Sequence, residues 1–342
     1  MFILLLGQIL LNFSQNETDL KLGIANRGVV HHDTEKAVSL EDWFRIVSET
    51  NTFDYVDKTP PEDEIDLYRK YSERYNLPIL CGGWFYTIGS DDHLLFRHLE
   101  NAAKLGTLVH NVQIKAKHAD GYDVTNEQII DIYLKAFEHG DRLGCEPCFE
   151  IHINMWSENF MRIFEVAEEI ERRGIPFRMT LDHSHIIFKM DNEFEMNLFN
   201  LSHNIKNGSL ILDPYITGNI AQKLIYRNYV TLLHARSVIP DNPKNIMASH
   251  PDGSVGRGVQ YPFLEPMEGQ FHSTWEEKKL EPWKEVVRQL LDYHFERENS
   301  PLKFISTEFI PATDYGAGNT YSLLNNSIAC AKWIKREIAA RS

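Results

Sequence analysis

The sequence predicts an α/β protein with the (β/α)8 TIM-barrel fold, for three reasons. Eight apolar, strand-like runs alternate with helical stretches along the chain, which is the pattern of a parallel sheet with crossover helices. No glycine-rich fingerprint follows the first run, whereas a dinucleotide-binding open sheet usually carries one. Because chemistry in a barrel lies where the strands end, it also matters that four runs finish on a side chain that can bind a metal ion, at residues 148–152, 177–185, 230–236 and 304–309.

Four strands are predicted in the first half of the chain, at residues 20–27, 53–58, 77–86 and 108–117. Each is followed by a predicted helix, at residues 40–50, 60–75, 93–105 and 125–143. Ser39 is a suitable N-cap for the first helix, and Thr125 with Gln128 makes a capping-box pattern for the fourth. The Gly82–Gly83 pair in the third strand allows backbone or ligand to approach closely.

The second half repeats this alternation, with strands at residues 146–153, 177–185, 230–237 and 303–310 and helices at 157–173, 220–227, 275–295 and 321–341. Residues 192–208 are expected to form a polar connection. Residues 239–273 form a loop too long to be a plain connection, and such loops are usually functional. We therefore expect residues 19–342 to be a single barrel domain that carries this long loop.

The first 18 residues stand apart from this pattern. Residues 2–11 (FILLLGQILL) are similar to a signal-peptide core, but no basic residue precedes them and no clear cleavage site follows. The run is too short to span a bilayer. We expect residues 1–18 to be an N-terminal extension, disordered or not native, with a signal peptide and a mis-called start left open. No later membrane segment is evident, so we expect a cytoplasmic protein without a membrane partner.

Composition and charge narrow the function classes. The chain is 43% hydrophobic and 25% charged, as in an ordinary globular protein. Its formal charge of −14 argues against a nucleic-acid partner, which needs basic patches. Four cysteines are too few for a disulfide framework. Cys145 and Cys148 form one CxxC pair without a second, so a structural role is the stronger interpretation.

Four residues at the ends of consecutive predicted strands carry the main functional signal: Glu150, Asp182, His234 and Glu308. In a parallel barrel the carboxyl ends of all strands meet on one face. Three carboxylates at one point repel each other unless a cation lies between them. The oxygen-rich set with one imidazole suits a hard or borderline divalent ion. We expect one such ion, Mn²⁺ first, with Mg²⁺, Co²⁺, Fe²⁺ and Zn²⁺ as alternatives.

Further polar and aromatic residues flank this group. His152 lies two residues beyond Glu150, and His185 lies three beyond Asp182; near a metal ion, both are candidates for acid–base work or substrate contact. Arg236 is a candidate for holding a substrate oxyanion or for a salt bridge to a barrel carboxylate. Weaker candidates for substrate contact, each with a structural alternative, are Lys115, Trp84, Trp156 and His272.

In these residues the chain resembles the xylose-isomerase-like TIM barrels, a superfamily of sugar isomerases, sugar epimerases and apurinic endonuclease relatives. The order Glu, Asp, His, Glu on strands five to eight is similar to the one-metal epimerase site, and Asp182 with His185 matches its Asp-x-x-His step. This resemblance implies a metal-dependent isomerase or 3-epimerase in which Glu150 and Glu308 are the acid–base pair. It also implies an oligomer, because sugar barrels often form dimers or tetramers.

Within that superfamily, residues 149–158 (FEIHINMWSE) and 180–185 (TLDHSH) look most like the catalytic α subunit of bacterial C-glycoside deglycosidases. This closer resemblance implies Mn²⁺, a small β-subunit partner and a 3-oxo-C-glycoside substrate. The C–C bond would break by β-elimination, with His152 as the base. We take this lyase as the first expectation, the isomerase or epimerase as the alternative, and a sugar-binding barrel without turnover as the third.

Overall fold

Eight parallel strands close into a barrel in the computed structural model, which describes residues 20–25 and 38–342. Neighbouring strands follow the chain order around the ring, and the last pairs with the first at Lys21 and Phe304. The eight are β1 (Lys21–Ala25), β2 (Tyr55–Asp57), β3 (Ile79–Tyr86), β4 (Val109–Ile114), β5 (Glu146–Glu150), β6 (Met179–Leu181), β7 (Val230–Ala235) and β10 (Phe304–Thr307). The (β/α)8 fold that the sequence predicts is confirmed.

Helices connect successive strands. They are α1 (Leu40–Glu49), α2 (Ile65–Arg74), α3 (Asp92–Leu105), α4 (Asn126–Leu143), α5 (Phe160–Arg172), α6 (Ser184–Ile187), α7 (Glu193–Asn197), α8 (Leu201–Lys206), α9 (Ile220–Tyr226), α10 (Glu281–Glu296) and α11 (Leu323–Ala339). The predicted N-caps are present: the Ser39 hydroxyl accepts a hydrogen bond from Asp42 N at 3.1 Å, and Thr125 and Gln128 form a capping box.

Two connections differ from the expectation. The sixth strand ends at Leu181, so Asp182 lies just beyond it and residues 184–187 already form α6. The expected polar connection at residues 192–208 contains α7 and α8, because the Asn192 side chain caps α7 by accepting from Glu195 N at 3.1 Å. The long loop contains a two-stranded antiparallel hairpin, β8 (Asn245–Ser249) and β9 (Val255–Gly256).

The barrel interior is layered, because side chains two residues apart on a strand face the same way. One buried layer is apolar, with members from six strands: Tyr55, Cys81, Val109, Cys148, Leu232 and Phe304. Two residues further along five of these strands the side chains are polar: Asp57, Asn111, Glu150, His234 and Ser306. The sequence thus places a packed floor directly beneath a polar layer.

The CxxC pair belongs to this packing. All four cysteines are buried and unpaired, and burial raises the pKa of the Cys148 thiol well above its usual value. A thiol held neutral in this way is a poor nucleophile and a poor metal ligand, which agrees with the structural interpretation.

The prediction for the N-terminal extension at residues 1–18 falls outside the described residues. In the part of the chain that is described, no helix is both long enough and apolar enough to cross a bilayer.

Candidate functional site

The four residues at the strand ends converge in the polar layer. Glu150, Asp182, His234 and Glu308 each offer one ligand atom, and these four atoms lie within 4.8 Å of one another. Glu150 is the last residue of β5, His234 lies in β7, and Asp182 and Glu308 directly follow β6 and β10. The local reason is the same in each case: an apolar strand ends and its next inward position is a metal-competent side chain.

One oxygen of Glu150 is held by two amides. Asn111 Nδ2 donates to Glu150 Oε2 at 2.6 Å, and Gln113 Nε2 donates to the same oxygen. The other oxygen, Oε1, is 2.9 Å from His234 Nδ1. Gly83 makes room for this arrangement, because a Cβ at position 83 would lie 2.8 Å from Asn111 Cβ. The carboxylate is thereby oriented with Oε2 held by the two amides and Oε1 facing His234 at the centre of the site.

His234 lies between carboxylates on both sides of its ring. Its Nδ1 is 2.9 Å from Glu150 Oε1 and 3.0 Å from Glu308 Oε2, and its Nε2 is 3.2 Å from Asp57 Oδ2. Burial would lower the pKa of His234, but Glu308 and Glu150 outweigh it and raise that pKa well above its usual value. A cation that bound to Nδ1 would have to displace a proton held there.

Asp57 continues this chain of contacts behind the histidine. The Ser306 hydroxyl donates to Asp57 Oδ2 at 2.7 Å, and the Tyr55 hydroxyl is 2.8 Å from the same serine. A carboxylate that accepts from the far nitrogen of a histidine fixes which nitrogen faces a metal. Here that nitrogen is Nδ1.

Asp182 has one satisfied and one unsatisfied oxygen. Its Oδ1 accepts from Ser184 N at 3.0 Å and from Ser184 Oγ at 2.5 Å. Its Oδ2 is 2.8 Å from Arg236 Nη2 and 3.3 Å from His185 Nε2, yet it forms no hydrogen bond with either among the described residues. A buried carboxylate oxygen without a hydrogen bond is costly unless another partner binds it.

These observations fit a single divalent ion. Three carboxylates and one imidazole form a hard or borderline donor set, their ligand atoms are close together, and Asp182 Oδ2 accepts no hydrogen bond among the described residues. Glu150, Asp182, His234 and Glu308 are therefore the residues that could hold such an ion.

Arg236 lies against this group. Its Nη2 contacts Glu308 Oε2 at 2.6 Å as well as Asp182, and the Tyr315 ring covers its guanidinium at 4.1 Å. Burial would raise the pKa of Glu308, but Arg236 and His234 outweigh it and hold that pKa well below its usual range. Arg236 Nε and Nη1 are buried without hydrogen-bond partners in the described chain.

His152 and His185 meet beside the cluster, with ring centroids 4.3 Å apart. His152 Nδ1 is 2.7 Å from the carbonyl oxygen of Ile153, and its Nε2 is 2.7 Å from the Tyr315 hydroxyl. Burial lowers the pKa of His152 to about 4, with a further contribution from His185. Both nitrogens of the neutral His152 ring are therefore engaged.

A cavity of about 260 Å³ opens onto this cluster. Its lining includes polar side chains, among them Asp57, Gln113, His152, His234 and Glu308, and apolar ones, among them Trp84, Phe85, Met155 and Ile310. Five predicted substrate contacts do not line this cavity. Two of them, His185 and Arg236, are buried against the four-residue cluster, and the other three lie further away. Trp156 is buried in the core against Phe149, the Lys115 ammonium lies 5.3 Å from the Phe85 ring centroid, and His272 contacts Asn319.

A buried group of four charges fastens the surrounding loops. Lys189 Nζ is 2.8 Å from Glu158 Oε1 and 2.9 Å from Glu195 Oε2, and Arg257 contacts both carboxylates. Burial would raise the pKa of Glu158, but Lys189 and Arg257 outweigh it and lower that pKa to about 2. These ion pairs connect the loop after β5, α7 and the long loop to one another.

Several residues of the site were missed in the sequence: Asp57, Asn111, Gln113, Ser184 and Tyr315. A signal existed for Asp57, because it ends an apolar run (FDYVD) in the same way as the four predicted ligands. Asn111 and Gln113 also alternate on β4 and so share one face. Tyr315, in the turn after β10, had no comparable signal.

Comparison with known proteins finds relatives in structure alone. No family model matches the chain, and no curated protein matches it in sequence. D-allulose 3-epimerase from Methylomonas sp., solved with D-allulose, matches with a TM-score of 0.56 and 10% identity over 93% of this chain and 97% of that one. The IolI protein with a bound zinc atom matches with a TM-score of 0.53 and 12% identity, over 94% and 99% of the two chains.

A third match is a xylose isomerase-like TIM barrel protein from Mycobacterium smegmatis, solved with magnesium. Its TM-score is 0.53 at 10% identity, over 94% of this chain and 97% of that one. At such identities the likeness shows the fold alone, which is the (β/α)8 barrel that the sequence predicts. The narrower resemblance to C-glycoside deglycosidases finds no support in these three structures.

Proposed function

We propose that this protein is a metal-dependent enzyme of the sugar isomerase and epimerase class, which moves a proton on the carbon next to a sugar carbonyl. One observation carries the proposal. Glu150 and Glu308 approach the same ligand centre from different strands, and each has an oxygen about 3 Å from His234 Nδ1. Two carboxylates around one centre are what removal and return of a proton require.

The structural relatives agree with this reaction class. One is an epimerase solved with its ketohexose, and others were solved with zinc and with magnesium. We propose that Glu150, Asp182, His234 and Glu308 hold one divalent ion, and that Mn²⁺ serves. When bound, the ion supplies Lewis-acid polarisation of the substrate carbonyl and of a neighbouring hydroxyl.

The protein's own residues then divide the proton chemistry. Asn111 and Gln113 hold Glu150 Oε2, so Oε1 is the oxygen that exchanges a proton. Glu308 lines the cavity and stays ionised beside Arg236 and His234, so it can accept a proton. In an epimerase the second carboxyl returns the proton to the other face of the same carbon.

Arg236 and the two histidines are proposed to bind the sugar. Arg236 has two unused buried donors, which suit hydroxyl or carbonyl oxygens. His152 lies at the cavity wall, with His185 against its ring. The cavity of about 260 Å³ is smaller than the usual pockets of drug-sized ligands, which favours a substrate of monosaccharide size.

Proton exchange in D₂O tests the proposal. Purified protein with Mn²⁺ is incubated with a panel of ketohexoses, and ¹H NMR records both deuterium uptake next to the carbonyl and formation of the epimer. Wild type should catalyse both, and Glu308→Gln should abolish both. Glu265→Gln removes an exposed carboxylate and serves as the control. Absence of exchange on every sugar in the metal-loaded wild type would contradict the proposal.

The lyase is the second candidate, and the position of His152 at the cavity wall favours it. It starts with the same proton abstraction and ends with loss of an aglycone. Incubation with Mn²⁺ and a 3-oxo-C-glycoside, with and without a candidate small β subunit, distinguishes the two. Aglycone release without ketose interconversion would favour the lyase; the reverse would favour the epimerase. The same preparations on a sizing column test the proposed oligomer.

A further inference from the structure

One tyrosine contacts two of the groups that are proposed to bind the sugar. Tyr315 is buried in the turn after β10 and lines the cavity. Its hydroxyl is 2.7 Å from His152 Nε2, and its ring covers the Arg236 guanidinium at 4.1 Å. No other side chain in the described part of the chain has both contacts.

The direction of the hydrogen bond follows from the other side of the imidazole. A carbonyl oxygen only accepts hydrogen bonds, so His152 Nδ1, which is 2.7 Å from the Ile153 carbonyl, carries the ring proton. In the neutral ring Nε2 then has a lone pair, and the Tyr315 hydroxyl must donate to it. The Ile153 carbonyl thus sets the tautomer of His152, and the Tyr315 hydroxyl holds the Nε2 end of the ring and fixes its rotation.

The aromatic ring performs a separate task at Arg236. A guanidinium over a tyrosine face is attracted to it, most strongly where water is excluded. Arg236 is fully buried, and Nη2 is its one nitrogen that reaches the carboxylates of Asp182 and Glu308. By packing against the guanidinium, the Tyr315 ring keeps Arg236 in the orientation in which Nε and Nη1 have no hydrogen-bond partner among the described residues.

The turn that carries Tyr315 is itself fastened to the long loop. Asp314 Oδ1 accepts from Arg257 N at 2.9 Å and from His250 Nε2 at 3.0 Å, and Asp314 O accepts from Val259 N at 2.7 Å. Because Arg257 also belongs to the buried group of four charges, the turn that carries Tyr315 is joined to that group.

We infer that Tyr315 is a positioning residue of the proposed sugar reaction: its hydroxyl sets the orientation of the His152 ring, and its ring holds Arg236 for substrate binding. The expected effect on kcat and KM rests on the proposed function, whereas the contacts of Tyr315 with His152 and Arg236 do not. The two tasks use different parts of the side chain, so two substitutions separate them. Tyr315→Phe removes the hydroxyl and keeps the ring, whereas Tyr315→Leu removes both.

The kinetic test compares these variants with a matched control in the Mn²⁺-loaded protein. Tyr321 is also buried in the same segment, and its hydroxyl accepts from Gln260 Nε2 at 2.8 Å, so Tyr321→Phe removes an equivalent hydroxyl away from the site. Tyr315→Phe should lower kcat about five- to tenfold, the effect of one hydrogen bond, with KM within about twofold. Tyr315→Leu should in addition raise KM by about 3- to 30-fold, the range of a cation–π contact.

A second measurement needs no turnover. In protein with ¹⁵N-labelled histidine and arginine, His152 Nε2 should move to higher frequency in both Tyr315 variants, because its donor is lost. The Arg236 Nε–H resonance should lose its ring-current shift in Tyr315→Leu and keep it in Tyr315→Phe. His152→Gln and Arg236→Lys assign the signals, and thermal melts show whether each variant folds.

The outcomes separate the two proposals. Expected resonance shifts in a protein that turns over no sugar would uphold the contacts of Tyr315 and overturn the proposed function. Unchanged His152 and Arg236 resonances in both variants would overturn the inference about Tyr315, whatever the activity. An active wild type in which Tyr315→Phe and Tyr315→Leu have the same kcat and KM as Tyr321→Phe would overturn it as well.

Discussion

Substitution of Asp57 by Asn should weaken metal binding although Asp57 is outside the proposed ligand set. Its Oδ2 is 3.2 Å from His234 Nε2 and also accepts from Ser306 Oγ. The negative charge behind the imidazole favours the tautomer with its proton on Nε2 and makes Nδ1 a better donor to a cation. Asn removes the charge and nearly preserves the shape.

The magnitude follows from the contact that is weakened. A hydrogen bond to a charged group contributes about 1.5–3 kcal/mol, and this one is at the long end of the usual distances. The lower part of that range, about 1.5–2 kcal/mol, corresponds to an increase in Kd for the ion of about 10- to 30-fold. Loss of a carboxylate behind a metal-binding histidine typically costs about 10- to 100-fold in affinity.

Isothermal titration of apo-protein with Mn²⁺ at fixed pH measures this change. Asp54→Asn is the control, because Asp54 lies just before the same strand and accepts from Leu22 N at 2.8 Å, away from the site. An unchanged Kd in Asp57→Asn would show that His234 is not the ligand that Asp57 orients. An equal loss in both variants would attribute the effect to general damage to the strand.

Three further predictions concern the surroundings of the site. Glu158→Gln should be less stable than wild type at neutral pH. The lowered pKa of Glu158, about 2, stabilises the fold above the pKa that this carboxyl has in the unfolded chain, and the effect is lost on acidification. The difference in unfolding free energy should therefore shrink by about 3 kcal/mol as the pH falls from about 4.5 to about 2. Gly83→Ala should cost about 1–3 kcal/mol of unfolding free energy in urea, because its Cβ meets Asn111. Trp156→Phe should lower stability by about 1 kcal/mol and leave the Kd for Mn²⁺ within twofold, because Trp156 lies in the core.

Each of these predictions has its own control. Glu138→Gln removes an exposed carboxylate and should show no such acid dependence. Asn111→Gly in the Gly83→Ala background should recover part of the loss, and strict additivity would contradict a direct clash. A large change in metal affinity or KM in Trp156→Phe would show that Trp156 contributes to the site.

The sequence predicted the ring of strands because segments with the hydrophobic pattern of a strand and segments with that of a helix alternate regularly along the chain. Alternating inward positions placed Glu150 two residues beyond Cys148 and His234 two beyond Leu232, so the face of each side chain followed from the strand itself. That is why four ligands from distant segments could be predicted to meet. Asp57 obeyed the same pattern and was within reach of the same reasoning.

Residues beyond the strand ends were less predictable. Trp156 and Lys115 follow strands as His152 and Arg236 do, but a 3₁₀ turn places Trp156 in the core and Lys115 pairs with Met155 in an isolated bridge. Tyr315 reaches His152 across 163 residues of chain. The direction in which a side chain points after its strand has ended depends on the geometry of the loop, which hydrophobic periodicity does not encode.

Anomalous diffraction from a Mn²⁺-soaked crystal tests the central claim most directly. A single anomalous peak is predicted, within coordinating distance of Glu150, Asp182, His234 Nδ1 and Glu308, and it should vanish in His234→Ala crystals. No peak at saturating Mn²⁺, or a peak bound by other residues, would contradict the metal site and the proton chemistry proposed from it.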